Sequence, residues 1–150
     1  MNKAQVGKRG EQVAARYLKK HGYDIVERNI HISHQEIDIV AINKECIAFV
    51  EVKTRILDPT KKDLYSVPAA AVTANKQTFL LKAASKYLSD HRYDLQPRMD
   101  VIEVYLAQDH QISHLSRIWE KLTALFGTPQ RKVLDVNHII NAFGLNGYRP

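Results

Sequence analysis

The 150-residue chain contains a single cysteine, so no disulfide framework can staple it. Cys46 alone fits a reducing compartment. With no oriented histidine to activate it, a thiol in what reads as a turn is incidental rather than nucleophilic. Long apolar runs are missing as well: none reaches membrane-spanning length, and Met1-Asn2-Lys3-Ala4-Gln5 lacks the apolar core of a signal peptide. The expectation is a soluble, cytoplasmic protein with no membrane partner. Glycine-rich phosphate loops are absent, which argues against nucleoside-triphosphate chemistry. The seven histidines show no paired metal spacing. His31, His34, His110, His114 and His138 fall in or near expected loops and strand ends, so zinc is not indicated. No internal repeat or low-complexity tract divides a chain whose length suits one domain, residues 1–150, with its own core. Acid is also in deficit. Sixteen Asp and Glu against 22 Lys and Arg leave a formal charge of +6, and the pI is near 9.4. An anionic partner follows, with nucleic acid the first candidate.

What is present centres on Ile37-Asp38-Ile39-Val40 and Phe49-Val50-Glu51-Val52-Lys53, two β-branched apolar runs around the polar break Asn43-Lys44-Glu45-Cys46. That pattern predicts a β-hairpin. A turn centred between Lys44 and Glu45 sets Asp38 opposite Glu51 and Glu36 opposite Lys53, so three carboxylates and one ammonium share a face. Directly opposed carboxylates repel at a Cβ separation of about 5 Å. A divalent cation between Asp38 and Glu51 resolves the conflict most simply. The other face carries Ile37, Ile39, Ala41, Ala48, Val50 and Val52, while Val40, Ile42 and Phe49 keep the carboxylate face apolar further along. A hairpin apolar on both sides belongs inside a sheet covered by helices.

Before the hairpin, Val6, Val13, Ala14, Tyr17 and Leu18 predict an amphipathic helix over about 4–21, stopped by Gly22, with Glu11 on its inner side. A short strand over Tyr23–Arg28 and a polar segment, Asn29–Gln35, follow. After the hairpin, Thr54 to about Thr73, with Pro59 and Pro68, reads as a long surface loop. Asn75 is a capable cap for a second helix built on Phe79, Leu80, Ala83, Tyr87 and Leu88. The Lys76 stem points to the core side of that helix's start, where an anionic site would explain it. Arg98–Leu106 is a further strand. Leu115 through Phe126 predict a helix ended by Gly127, and Lys132–Ile139 a last strand before Asn141-Ala142-Phe143. The order implies an α/β fold with a mixed sheet.

In Glu51-Val52-Lys53 the outer side chains project together while Val52 packs the other way. Two facing carboxylates offer hard oxygen ligands for Mg²⁺, and Lys53 beside them is placed to orient the attacking water, help deprotonate it, or neutralise charge developing on phosphorus. The competing structural reading is a cross-strand salt-bridge pattern.

Gly10-Glu11, Glu36-Ile37-Asp38-Ile39-Val40, Phe49-Val50-Glu51-Val52-Lys53-Thr54-Arg55, Lys76, Arg98-Met99-Asp100-Val101-Ile102 and Asn141-Ala142-Phe143 together resemble the bacterial YraN family over nearly the whole chain. That family is similar to archaeal Holliday junction resolvases and belongs to the restriction-endonuclease-like, PD-(D/E)XK superfamily. The resemblance implies a metal-dependent endonuclease with a mixed sheet flanked by helices, using Mg²⁺ or Mn²⁺ on DNA. By position Asp38 and Glu51 match the metal-binding acids, Lys53 the catalytic lysine, and Glu11 the helix acid that completes many resolvase-like sites. Glu36, Arg55 and Lys76 match positions near that site. Resolvase-like relatives often pair, so a homodimer belongs to the same expectation. Two departures stand out: Gln35 replaces the glycine usual before Glu-Ile-Asp, and the segment at about 113–129 looks like an added helix. Lys8, Arg9, Arg55, Lys61 and Lys62 are candidates to hold backbone phosphates. The rival reading is a non-catalytic DNA-binding or protein-interaction module that keeps the fold.

Overall fold

The structure is a computed structural model that describes residues 1–58, 72–108 and 131–144. Lys61, Lys62, His110, His114 and the expected helix at about 113–129 lie outside the described residues.

Helix α1 (Lys3–Lys20) opens on a reciprocal capping box, in which Asn2 accepts from the Gln5 backbone and the Gln5 side chain accepts from Asn2. It ends where Gly22 takes a φ of 82°, a conformation that costs glycine little. Five strands follow in chain order, β1 (Asp24–Ile32), β2 (Gln35–Ile42), β3 (Cys46–Leu57), β4 (Gln96–Ala107) and β5 (Val133–Phe143), with α2 (Ala74–Asp90) between β3 and β4. They form one sheet in that same spatial order. Only β3 and β4 run parallel; the other neighbours are antiparallel. The fold is a mixed five-stranded α/β sheet with a helix on each face, as the pattern of elements implied.

The hairpin turn is set by Asn43, whose Oδ1 accepts from the backbones of Glu45 and Cys46 at 2.8 Å. Its register over Ile39↔Val50 through Ile42↔Ile47 is the expected one. One core lies under α1 and joins Val13, Ala14 and Leu18 to Ile39, Ala48, Val50 and Ile102. The other lies under α2 and joins Leu80, Ala84 and Tyr87 to Val40, Phe49, Met99 and Val101. Leu18 and Phe49 are wholly buried, each contributing about 1.5–3 kcal/mol by burial.

Several expectations are corrected. β1 runs on to Ile32 and reaches β2 through a two-residue turn, Ser33-His34, because its ladder with β2, bulged once between Ile25 and Glu27, persists to Ile32↔Gln35. β3 continues to Leu57, since its ladder with β4 persists to Ala107, so Thr54–Leu57 are strand and not loop; the rest of the expected loop, over 59–71, lies outside the described residues. Thr73, not Asn75, caps α2, accepting from the Lys76 backbone. Phe79 is 47 % exposed and lies outside the core. Cys46 is buried at the start of β3, where burial pushes its thiol pKa up. His138 is not an exposed strand-end residue: its ring is edge-on to Tyr17 and hydrogen bonded to Asp100.

Candidate functional site

β2 and β3 pair only as far as Ile39↔Val50. Toward its start β2 stays with β1, while β3 beyond Val50 stays with β4, so the sheet forks. Asp38 stands at the fork, and its Oδ2 accepts from the Val52 backbone at 2.7 Å. A side-chain oxygen thus satisfies a donor that the β2 backbone does not reach. Ile37 and Ile39 lie in opposite cores, so side-chain alternation breaks at Asp38. The sequence pattern had put both on one face; the departure of β2 from β3 explains the change.

Glu51, 3 % exposed, projects to the α2 side. Its Oε1 accepts from Lys53 Nζ at 2.7 Å and from Lys76 Nζ. Lys53 reaches it because residues two apart share a strand face; Lys76 reaches it from the first turn of α2, as its inward stem implied. Glu51 Oε2 is buried and has no hydrogen-bond partner among the described residues. Asp38 is pushed up to about 6 from 3.8, by burial first and then by Glu51, with a smaller push from Glu11. The Val52 amide and Lys76 pull the other way and do not prevail.

Glu11 approaches from α1 on the opposite side of the sheet. Its Oε2 accepts from Asn29 Nδ2 at 2.7 Å and stands 3.6 Å from the Arg28 guanidinium. α1 lies this close to β3 because Gly10 has no side chain: a Cβ there would fall 1.7 Å from Thr54 Oγ1. Among the described residues no three of His, Cys, Asp and Glu gather closely enough to hold a metal together. The site is therefore an Asp38–Glu51 pair with Glu11 set to one side. Lys8, Arg28, Asn29 and Glu11 line a groove of about 550 Å³ beside that third acid.

Glu36 does not face Lys53. β2 has left β3 by that point, and Glu36 pairs instead with His31, its carboxylate 3.9 Å from the imidazole. Arg55 stands 4.0 Å from Glu103, which is wholly buried. Arg9 is half-buried, with Nε and Nη1 lacking hydrogen-bond partners among the described residues, unlike an ordinary solvated arginine.

Three further residues have roles that the sequence does not assign. Asn29 flanks Asp38 across the β1–β2 ladder and has a φ of 51°, a left-handed conformation in which Asn is enriched. Nothing in the sequence pattern shows it. Glu103 pairs in register with Lys53 and accepts from Tyr105 and Asn137; a lone charge in the apolar run Val101–Leu106 was the available signal. Asp100 is wholly buried and accepts from Arg98 through two bonds at 2.8 Å, from His138 at 2.9 Å and from the Asn141 backbone. Burial alone would raise its pKa, but these partners together hold it below the ordinary carboxylate value.

The fold and site thus define an α/β protein with a lysine-flanked pair of acids where its central sheet forks. The chain belongs to the uncharacterised protein family UPF0102, whose model matches residues 10–104, a span that includes Glu11, Asp38, Glu51, Lys53 and Lys76. It is 39 % identical over 145 residues to a UPF0102 protein of Caldanaerobacter subterraneus subsp. tengcongensis, covering 95 % of this chain and 98 % of that one. A UPF0102 protein of Caldicellulosiruptor saccharolyticus is 33 % identical over 144 residues, 95 % of this chain and all of its own. One from Syntrophotalea carbinolica is 46 % identical over 100 residues, 66 % of this chain and 77 % of its own. No helix among the described residues is long and apolar enough to cross a membrane.

Proposed function

We propose that this protein is a divalent-metal-dependent phosphodiesterase that cuts DNA, of the restriction-endonuclease-like, PD-(D/E)XK kind. The observation that carries the reading is Glu51 Oε2, a buried carboxylate oxygen without a partner among the described residues, next to Asp38. Leaving such an acceptor unsatisfied is costly, and a hard cation is its natural complement. Mg²⁺ and its like take one or two carboxylates and complete their shell with water and phosphate oxygens, so a pair of acids suffices.

Asp38 and Glu51 would hold the metal, whose contribution when bound is to polarise a phosphoryl oxygen and to make water a better nucleophile at neutral pH. Lys53, already at hydrogen-bond distance from Glu51, supplies a positive charge where the pentacovalent phosphorus gathers negative charge. Lys76 adds a second. Glu11 is kept oriented at the rim by Asn29 and Arg28, and Lys8 and Arg28 meet backbone phosphates in the adjoining groove. The likeness of the motifs to archaeal Holliday junction resolvases makes branched DNA the first substrate to try.

The test is cleavage of duplex, flap and four-way DNA with Mg²⁺ or Mn²⁺. Metal-dependent cutting by the wild type, lost in Glu51→Gln and Asp38→Asn, supports the reading. A second reading, a DNA-binding module with an idle acidic site, draws on one observation: two cations, Lys53 and Lys76, already neutralise Glu51. It prevails if the protein cuts none of these DNAs yet binds them with an affinity that Glu51→Ala leaves unchanged.

A further inference from the structure

Three features lie outside the acid pair. The Asp100 cluster satisfies its own polar groups and ties β4 to β5, and a cavity of about 500 Å³ near Arg92 and Tyr93 is lined by none of the acids or lysines of the site. The third is a cavity of about 240 Å³ between the Ser33-His34 turn and α2. Phe79, 47 % exposed, forms one wall. Gln35 and His34 face it from the turn, and Lys82 and Lys86 flank it on the helix.

An exposed phenylalanine is unremarkable alone. This one lies within a stripe of cations on one face of α2: Lys76, Phe79, Lys82 and Lys86 follow one another at helical spacing. Lys86 also bonds Asp90, an exposed pair within one helix of the weak kind that a phosphate can displace. At its near end the stripe runs directly into the acid pair, because Lys76 touches Glu51.

The geometry points to a binding subsite for an unpaired nucleotide: a base from single-stranded DNA stacks on Phe79 while Lys82 and Lys86 hold the flanking phosphates. Three observations choose this occupant. The cations call for an anionic partner. A pocket of this size admits one base and its sugar, and a stacked duplex offers no free base face to a side chain, whereas a single strand offers one per nucleotide. The Gln35 amide both donates and accepts, as the edge of an unpaired base requires. This inference rests on the nuclease reading and deepens it: the strand that enters the acid pair is unpaired on the α2 side.

The experiment measures fluorescence anisotropy of the full-length protein with labelled oligodeoxythymidylate of about 16 nucleotides, and with a duplex of equal length, in EDTA so that no cutting occurs. Phe79→Ala should weaken single-strand binding on the order of 5- to 150-fold, the loss of one aromatic–base stack, and leave duplex binding unchanged; Phe79→Tyr should retain wild-type affinity. Lys82→Ala and Lys86→Ala should each flatten the salt dependence of single-strand binding by about one phosphate contact. Unchanged single-strand binding by Phe79→Ala overturns the subsite, as does an equal loss on both DNAs. A dimer that Phe79→Ala converts to monomer, with DNA binding unchanged, assigns the patch to contact between copies and also overturns it. The two readings fail separately. Stack-dependent binding without cleavage under any metal sinks the nuclease alone, and metal-dependent cutting with no effect of Phe79→Ala on binding sinks the subsite alone.

Discussion

The Asp38 carboxylate accepts the Val52 backbone amide at 2.7 Å, directly after the last paired residues of β2 and β3. The acid proposed to hold the metal is therefore also a structural one: it takes over a ladder hydrogen bond at the point where the ladder stops.

That double duty has a pH signature. Asp38 titrates near 6 in the fold and near 3.8 in the free chain, so between these values the folded state holds the proton more often. Its contribution is then most favourable below the lower value and is lost as the pH rises through the upper one. Asp38→Asn keeps an acceptor for Val52 and cannot ionise. It should be more stable than wild type near pH 7.5, on the order of 2 kcal/mol after allowance for partial exposure. The gain should vanish by about pH 4, as thermal melts across that range will read.

Mn²⁺ should raise the melting temperature of the wild type, by the equivalent of about 2.7 kcal/mol at a hundredfold excess over Kd. The effect should shrink as the pH falls through about 6, where Asp38 takes up a proton that competes with the metal. It should be absent from Glu51→Gln. A metal shift of wild-type size in Glu51→Gln would place the ion elsewhere.

Lys53→Met separates binding from chemistry. Removing the ammonium frees Glu51 Oε1 of one of its two cations, so calorimetry should find Mn²⁺ bound at least as tightly as by wild type. The cleavage rate should nevertheless fall, on the order of 10²- to 10⁴-fold. Weaker metal binding in this variant would instead make the lysine a support for the acids.

Asp100→Ala leaves Arg98 and His138 without their shared acceptor in a wholly buried place. It should cost about 3–5 kcal/mol. The depressed pKa of Asp100 means that its stabilising share is complete above the free-chain value and is lost as the pH falls below about 4, through the folded value. Chemical denaturation of wild type and variant should converge in that acid range.

Gly10→Ala should destabilise by about 1–3 kcal/mol through overpacking, more than alanine's helix preference returns. The nearest atoms to the added Cβ are Oγ1, Cβ and Cγ2 of Thr54. Thr54→Ala should therefore recover part of the loss, giving a double-mutant coupling of more than about 0.5 kcal/mol.

Much of this was legible in the chain. The apolar periods of α1 and the hairpin mark the elements, a turn centred between Lys44 and Glu45 sets the register, and the inward Lys76 stem implies an anionic site, which the structure identifies as Glu51. The fork was not legible. Period-two reasoning continues a ladder for as long as residues alternate, so it carried Glu36 to Lys53, whereas the structure gives Glu36 to His31. Glu11 was rightly turned inward, but helical spacing does not reveal which face of a sheet a helix covers. The left-handed turn at Asn29 and the buried partners of Asp100 depend on contacts between distant segments, which no local pattern encodes.

Glu11 comes from the α1 side, Glu51 points to the α2 side, and Asp38 stands between them where the strands separate. A ligand that engages all three acids must therefore straddle the sheet, meeting it end-on as a blade meets a thread, with one helix on either flank. A strand bound as proposed would meet a different protein surface on each side, so the two directions along it would not be equivalent to the site.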